Sequence, residues 1–224
     1  MSALRPMNAM SGARARGTLR YAGLLLMLWQ APAFAADALD RFLDGLTSWR
    51  ASFTQQVEDS TGKRIEQGEG TLLVSRPGRF RWQYKPQDSG EQLLIADGSN
   101  LWFYDVELQQ ATVKAASAAL STTPVVLLSG TSAQMRAAFE ITPQPARGGL
   151  DWVRVVPRNA SADFADAQLG FRGTQLLQLL IHDRLGQSVT LDFQHSERNA
   201  RIAESELQFT PPAGVDVIGT PVSK

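Results

Sequence analysis

The chain contains no cysteine. Disulfides and thiolate metal sites are therefore excluded, and its stability has to come from burial and hydrogen bonding. Histidine is nearly absent as well: His182 and His195 are the only two in 224 residues. Metal centres usually need clustered His, Cys or carboxylate ligands, and a nucleophilic triad needs a histidine beside a serine. There is no GxSxG, no P-loop and no HExxH. No catalytic residue, metal site or cofactor is assigned on this basis. Net charge is absent too, with 22 basic residues against 22 acidic ones. Nucleic-acid binding leans on neutralising phosphates, so nucleic acid is not an expected partner. The main apolar run, Tyr21 to Trp29, is too short to span a bilayer comfortably.

What is present is distributed unevenly. The first 35 residues hold Arg5, Arg14, Arg16 and Arg20 and no Asp or Glu, which leaves 18 basic residues against 22 acidic in the remainder. An Arg-rich stretch, an apolar run and then Ala33-Phe34-Ala35 form the pattern of a secretory signal with an A-x-A cleavage site. The expectation is a signal peptide over residues 1–35, removed on export, and a single domain over 36–224. No Arg-Arg pair precedes the run, which favours the general export route. No cysteine follows it to receive a lipid, so the exported chain is expected to be soluble.

Hydrophobic periodicity then gives the elements. Leu39, Phe42, Leu43, Leu46 and Trp49 lie on one helical stripe, which predicts a helix from Asp37 to Trp49. ASFTQQVED and GEGTLLVSR read as strands around a turn at 60–64. In RPGRFRWQYKP, Phe80, Trp82 and Tyr84 alternate with Arg79, Arg81, Gln83 and Lys85, so one strand face carries rings and the other charge. QLLIADGSNLWFYD is a hairpin about Asp97-Gly98. LSTTPVVLLSG predicts a short, all-round apolar helix with Thr123 as N-cap, Pro124 at its first position and Gly130 as its stop. SAQMRAAFE is a further helical turn or two, with Met135 and Phe139 on one side. In LLQLLIHDRLGQSVTLDFQH, facing Ile181 to Val189 aligns both apolar sets and leaves Arg184-Leu185-Gly186 as the loop. That register sets His182 opposite Ser188 and His195 opposite Gln175. About nine to eleven strands joined by short turns predict an antiparallel meander, curled into a partial barrel with its few helices over the open side.

Five segments in order, ASFTQQV, GEGTLLVSRPGRFRW, DGSNLWFYD, LSTTPVVLL and FTPP, resemble the LolA family of periplasmic lipoprotein carriers. The resemblance runs from residue 37 to about 217 and is least distinctive from Arg147 to Gly173. It implies an α+β fold, an unclosed antiparallel β-barrel covered by a lid of short helices, with the acyl chains of a lipoprotein held between them. It implies residence in the periplasm, action as a monomer, and two protein partners. One is the inner-membrane ABC transporter that loads the carrier. The other is the lipid-anchored outer-membrane receptor that unloads it. That receptor shares the fold but needs a cysteine for its lipid, so the missing thiol favours the soluble shuttle. A sensor or carrier of other lipids is the alternative on this scaffold, and a periplasmic hydrolase acting through His182 is a more distant one.

The resemblance also assigns residues. Phe80 and Trp82 match positions in or beside the lipid-binding face, and Val125, Val126, Leu127 and Leu128 match the lid helix. Leu73, Trp102 and Trp49, the last taken as the end of the first helix, are candidate neighbours whose facing stays open. The plainer reading of all of these is core. Arg76, before Pro77, matches the arginine that holds the empty lid shut, with acceptors expected near Leu128 and Ser129. Arg79, Arg81 and Lys85 read as solvated charges, or as contacts for acidic partner surfaces.

Overall fold

In a computed structural model, residues 34–116, 126–160 and 162–223 are described. All belong to one unit, Pro32–Lys224. The chain enters through helix α1 (Phe34–Leu43). It then runs β1 (Ser48–Glu58), β2 (Arg64–Ser75), β3 (Arg79–Pro86), β4 (Gln92–Asp97), β5 (Asn100–Asp105) and β6 (Gln110–Ala115). Two short helices come next among the described residues, α2 (Val126–Ser129) and α3 (Ser132–Ala138). Strands β7 (Phe139–Arg147), β8 (Leu150–Pro157), β9 (Phe164–Arg172), β10 (Gln175–Asp183) and β11 (Ser188–Arg198) follow. A 3-10 turn (Glu204–Leu207) and β12 (Asp216–Ile218) end the chain. Among the described residues, no helix is long and apolar enough to cross a membrane.

The twelve strands form one sheet in the order β12-β6-β5-β4-β3-β2-β1-β11-β10-β9-β8-β7. Strands β12 and β7 are its two free edges, so the barrel is unclosed. Every pairing is antiparallel except β12 on β6. The predicted hairpin register holds: Ile181 faces Val189 and His182 faces Ser188. Gly186 in the loop has φ +88°, the left-handed conformation that such a loop wants. Two strands were not expected. FEITPQPAR becomes β7 despite Pro143 and Pro145, because prolines are tolerated on an edge strand and blunt it against further pairing. GVDVIG contributes β12, a three-residue parallel strand.

The first helix is shorter than its apolar stripe suggests. It stops at Leu43, and Gly45 takes φ +60° just beyond. Leu39, Phe42, Leu43 and Leu46 are all buried, as the stripe requires. Trp49, expected at the helix end, instead lies on β1, paired with Val74 on one side and Arg198 on the other. Two-sided strand pairing there outweighs a helical continuation. Helix α3 starts with a capping box, in which Thr131 Oγ1 accepts from Gln134 N and Gln134 Oε1 accepts from Thr131 N. It ends at Ala138, and Phe139 opens β7; Met135 and Phe139 are both buried.

Both faces of the sheet are apolar over part of its width. The inner face carries Leu72, Val74, Phe80, Tyr84 and Ala96, joined in one core with α1, Leu127 and Leu128 of α2, and Met135 of α3. The outer face carries a second cluster of Leu93, Ile95, Trp102, Tyr104, Ala111 and Val113, against which Phe209 and Val215 of the C-terminal segment pack. That segment is pinned at its end by reciprocal bonds: Asn100 Nδ2 donates to Val222 O, and Val222 N donates to Asn100 Oδ1.

Gly70 sits on the inner face between Phe53 and Tyr84. A Cβ there would lie 2.4 Å from Phe53 Cζ and 2.2 Å from the Gln83 carbonyl oxygen, so the Phe53 ring rests on bare backbone. Gly70→Ala is expected to cost about 1–3 kcal/mol through overpacking. A urea midpoint equal to the parent's would show that the ring is not seated there.

Candidate functional site

Strand alternation places Phe80, Trp82 and Tyr84 on the inner face, as the sequence pattern requires. Phe53 reaches them from β1 across the backbone gap at Gly70. The Phe53 and Trp82 rings stack at 5.9 Å between centroids and 11° between planes, and Trp82 stacks on Tyr84 at 5.1 Å. Phe80 is fully buried in the same core. Cover thins toward β5. Along the cross-strand row Ala51, Leu72, Trp82, Leu94 and Phe103, the first two are buried, Trp82 and Leu94 are half-buried, and Phe103 is 39% exposed. Phe53, Leu94 and Phe103 were not singled out from the sequence, yet they belong to this surface.

At its far end the aromatic row turns polar. The Tyr84 hydroxyl donates to Glu66 Oε1 at 2.9 Å. Burial, with Glu66 as acceptor and as neighbouring charge, pushes the phenol above its ordinary pKa.

Two of the expected neighbours are not on this face. Leu73 pairs with Arg50 and Arg81 and points outward, one residue out of phase with Leu72 and Val74. Trp102 belongs to the outer cluster, its ring 5.4 Å from Phe209. Period-two alternation forbids either from sharing a face with Trp82. Trp49 does face inward, edge-on to Phe42 at 5.7 Å and to Phe193 at 5.0 Å. Leu127 and Leu128 are buried against the core from α2. Val126 is the first residue of that helix. Val125, Thr123 and Pro124 lie outside the described residues.

Arg76 joins three separate pieces of chain. Its Nε and Nη2 donate to the carbonyl of Gly130, at 3.1 and 2.7 Å. Its Nη1 donates to the carbonyls of Leu43 and Leu46, at 2.9 and 3.1 Å, just past α1. The lid acceptor is thus Gly130, not Leu128 or Ser129. The Ser129 carbonyl takes the Gly78 amide N–H instead, at 2.9 Å. Helix-end carbonyls lack partners within the helix, so a guanidinium satisfies two ends at once. Burial, reinforced by the charge of Arg198, lowers the Arg76 pKa. A second tie links α3 to α1, where Arg136 Nη2 donates to both Asp40 carboxylate oxygens at 2.6 Å.

One of the charges on the outer face of β3, Arg79, has a charged partner within the chain. Arg79 Nη1 donates to both oxygens of Glu204, at 2.8 and 2.9 Å. Arg50 pairs with Glu206 at 3.0 Å, and Arg81 also acts on that carboxylate. A backbone bond from Ala203, with Arg50 and Arg81, holds Glu206 below the usual carboxylate pKa against some desolvation. Lys85 is exposed. Arg79 is therefore neither simply solvated nor free for a partner.

The two histidines lie in separate settings. His182 Nδ1 lies 3.1 Å from Asp166 Oδ1, and Arg154 shares the same carboxylate. Burial alone would raise the Asp166 pKa, but its bonds to Arg154 and His182 lower it overall. Ser188 faces His182 by register, yet no hydrogen bond joins them among the described residues. His195 does not pair with Gln175. A register shift between Arg50 and Ser52 turns it to φ +49°, and its Nδ1 meets Ser52 Oγ at 3.1 Å on the exposed outer face. Among the described residues, no His, Cys, Asp and Glu group could hold a metal ion.

Comparison with known proteins agrees with this arrangement. The family model "Outer membrane lipoprotein carrier protein LolA" matches residues 44–210. An outer-membrane lipoprotein carrier protein of Methylibium petroleiphilum is 39% identical over 204 residues, 91% of this chain and 98% of the relative. One from Dechloromonas aromatica is 36% identical, over 84% of this chain and 89% of its own. In fold, the chain is similar to an uncharacterized conserved protein from Thermus thermophilus, with a TM-score of 0.50, 16% identity, and coverage of 83% of this chain and 98% of that one.

The Gly78 amide, bonded to Ser129 O beside the Arg76–Gly130 contact, is a probe of whether that contact holds the helix. Arg76→Leu removes a charge-assisted clamp worth about 1.5–3 kcal/mol, so hydrogen exchange at Gly78 is expected to rise about 10- to 100-fold. Unchanged exchange at that amide would show that Arg76 does not hold the lid.

Proposed function

This chain belongs to the LolA family of outer-membrane lipoprotein carriers, and from that premise we propose how its own residues do the carrying. It is a lipoprotein carrier, and its work is to keep acyl chains out of water. Each methylene bared to water costs about 0.8 kcal/mol, so a sixteen-carbon chain costs roughly 12 kcal/mol. The inner face of rings and aliphatic side chains receives these chains. The observation that carries the reading is the apolar row through Trp82, half covered and continued to Phe103, on the inner face whose core also takes Leu127 and Leu128 from the helix next to the Arg76–Gly130 contact.

Loading proceeds by exchange of covers. In the empty carrier, α2 and α3 supply Leu127, Leu128 and Met135 to the inner face. Cargo chains take their place when the lid lifts, and the Arg76 bonds to Gly130 are given up. Because those bonds are few and polar, differential affinity for cargo is enough to shift the equilibrium. Phe80, Trp82, Phe53 and Trp49 form the floor of the site, and the lid residues its removable roof. The carrier needs no catalysis for this, and none of its residues is given a catalytic role.

We extend the proposal to the remaining parts. Residues 1–35 act as a signal peptide, and residues 36–224 work in the periplasm as a monomer. An inner-membrane ABC transporter loads the carrier, and a lipid-anchored outer-membrane receptor takes the cargo from it.

Two measurements test the reading. The purified protein is expected to bind a triacylated lipopeptide, and Trp82→Ala to weaken binding about 10-fold or more, as loss of a half-buried ring that cargo would cover should. Arg76→Leu is expected to load normally but to hold its cargo when offered the receptor, because the closed state no longer competes. Co-purified lipid, identified by mass spectrometry as phospholipid in place of lipoprotein chains, would overturn the cargo assignment.

A further inference from the structure

The end of α1 is held by more than Arg76. Five successive carbonyls, from Phe42 to Leu46, each accept from a side chain distant in sequence. Arg198 donates to Phe42 O and to Asp44 O, the latter at 2.8 Å. Arg76 takes Leu43 and Leu46, and Asn199 Nδ2 takes Gly45 at 3.1 Å. Two guanidiniums are thereby drawn to one helix end, and Arg198 also lies 5.5 Å over the Phe42 ring.

Their partners are all neutral. Among the described residues, neither Arg76 nor Arg198 forms a salt bridge, whereas Arg50, Arg79, Arg136 and Arg154 each do. The Nε–Nη2 edge of Arg76 is the edge that matches the two oxygens of a carboxylate. Here that edge converges on the single oxygen of Gly130. Next to that acceptor, Ser129 Oγ is fully buried with no hydrogen-bond partner. The neighbourhood of the closed latch is therefore under-satisfied twice over, in charge and in hydrogen bonding. On the α1 side Asp44, Gly45, Thr47 and Asn199 are exposed and Arg76 and Arg198 are half-buried, whereas Gly130 and Ser129 on the other side are buried.

We propose that Arg76 and Arg198 form a carboxylate-receiving site, and that an acidic side chain of the protein that opens this carrier displaces the Gly130 carbonyl from Arg76. The proposal rests on the carrier reading and adds a chemical trigger to it. A carboxylate gains two bonds on the Nε–Nη2 edge where the carbonyl supplied one oxygen, and Arg198 adds attraction that a neutral carbonyl cannot exploit. Arg76 keeps its Leu43 and Leu46 bonds meanwhile, so the lid is released while the arginine stays anchored to α1. Freed from the latch, Ser129 gains access to water, which favours the open state further.

The test uses the full exported chain and two probes, hexaglutamate and hexaglutamine, at constant ionic strength. Lid release is read by hydrogen exchange at Gly78, and site occupancy by the NMR shift of the Arg76 side-chain Nε–H. Hexaglutamate is expected to produce both changes at a concentration about tenfold below hexaglutamine. Arg198→Gln is expected to abolish that difference, Arg198→Lys to keep part of it, and Lys85→Gln, on the far face of the sheet, to leave it intact. Equal responses to the two peptides, or a full hexaglutamate response in Arg198→Gln, would overturn the proposal. Lipopeptide binding in the same samples separates the two readings. If the parent protein binds lipopeptide but ignores hexaglutamate, only the trigger fails; if it binds no lipopeptide, the carrier reading falls and the trigger with it.

Discussion

Apolar surface that must be covered and yet surrendered governs this fold. A sheet whose inner face carries Phe53, Trp82 and Tyr84 in a stack cannot leave that face in water without inviting association. A cover held by burial alone, at about 25 cal/mol per Å², would be hard to lift. The observed compromise divides the task. Leu127, Leu128 and Met135 supply a modest apolar contact from two short helices. Closure is then completed by a few polar bonds at helix ends, Arg76 to Gly130 and Gly78 to Ser129. Bonds of that kind are each worth about 0.5–3 kcal/mol, which is the scale on which a bound ligand can reverse a two-state equilibrium.

The rest of the sheet has the opposite duty. The outer cluster around Ile95 and Trp102 is covered by Phe209 and Val215, in a segment fixed by β12 pairing and by the Asn100–Val222 bonds. The same segment brings Glu204 and Glu206 onto Arg79 and Arg50. One face is therefore closed by the chain's own end, through rings, ladder bonds and ion pairs together. The other is covered by two short helices tied through a few polar bonds at Arg76 and Gly78. On the proposed reading, this asymmetry leaves one face of the sheet fixed and the other able to exchange its cover.

Sequence reasoning succeeded where one physical rule acted alone. The β10–β11 register followed from period two plus the left-handed Gly186, and both hold. The common facing of Phe80 and Trp82 followed from the alternation of charge with rings along β3. It failed where two rules overlapped. NLWFYD is apolar on both faces, Leu101 inward and Trp102 outward, because both faces are covered. Nothing in that hexapeptide says which cover is which, and TLLVS hides the facing of Leu73 in the same way. Trp49 obeyed the helical stripe of α1 yet belongs to β1, since Gly45 ends the helix and strand pairing takes over. Arg198 carried no local signal at all: its partners, Phe42 and Asp44, lie some 150 residues earlier.

Arginine, and not lysine, is what this latch geometry requires. Arg76 bonds three carbonyls on two chain segments in one plane, Gly130 along one edge and Leu43 and Leu46 at Nη1. A lysine ammonium is a compact point donor and cannot span both segments from one position. Burial and Arg198 depress the Arg76 pKa, yet a guanidinium starts so high that it stays charged at any physiological pH. An ammonium under the same desolvation would risk losing its proton, and the clamp with it. Permanent charge, planar reach and partial burial therefore belong together. They give a contact that acid or base does not trip, and on the proposed reading it yields to a group that satisfies the guanidinium better than a backbone carbonyl does.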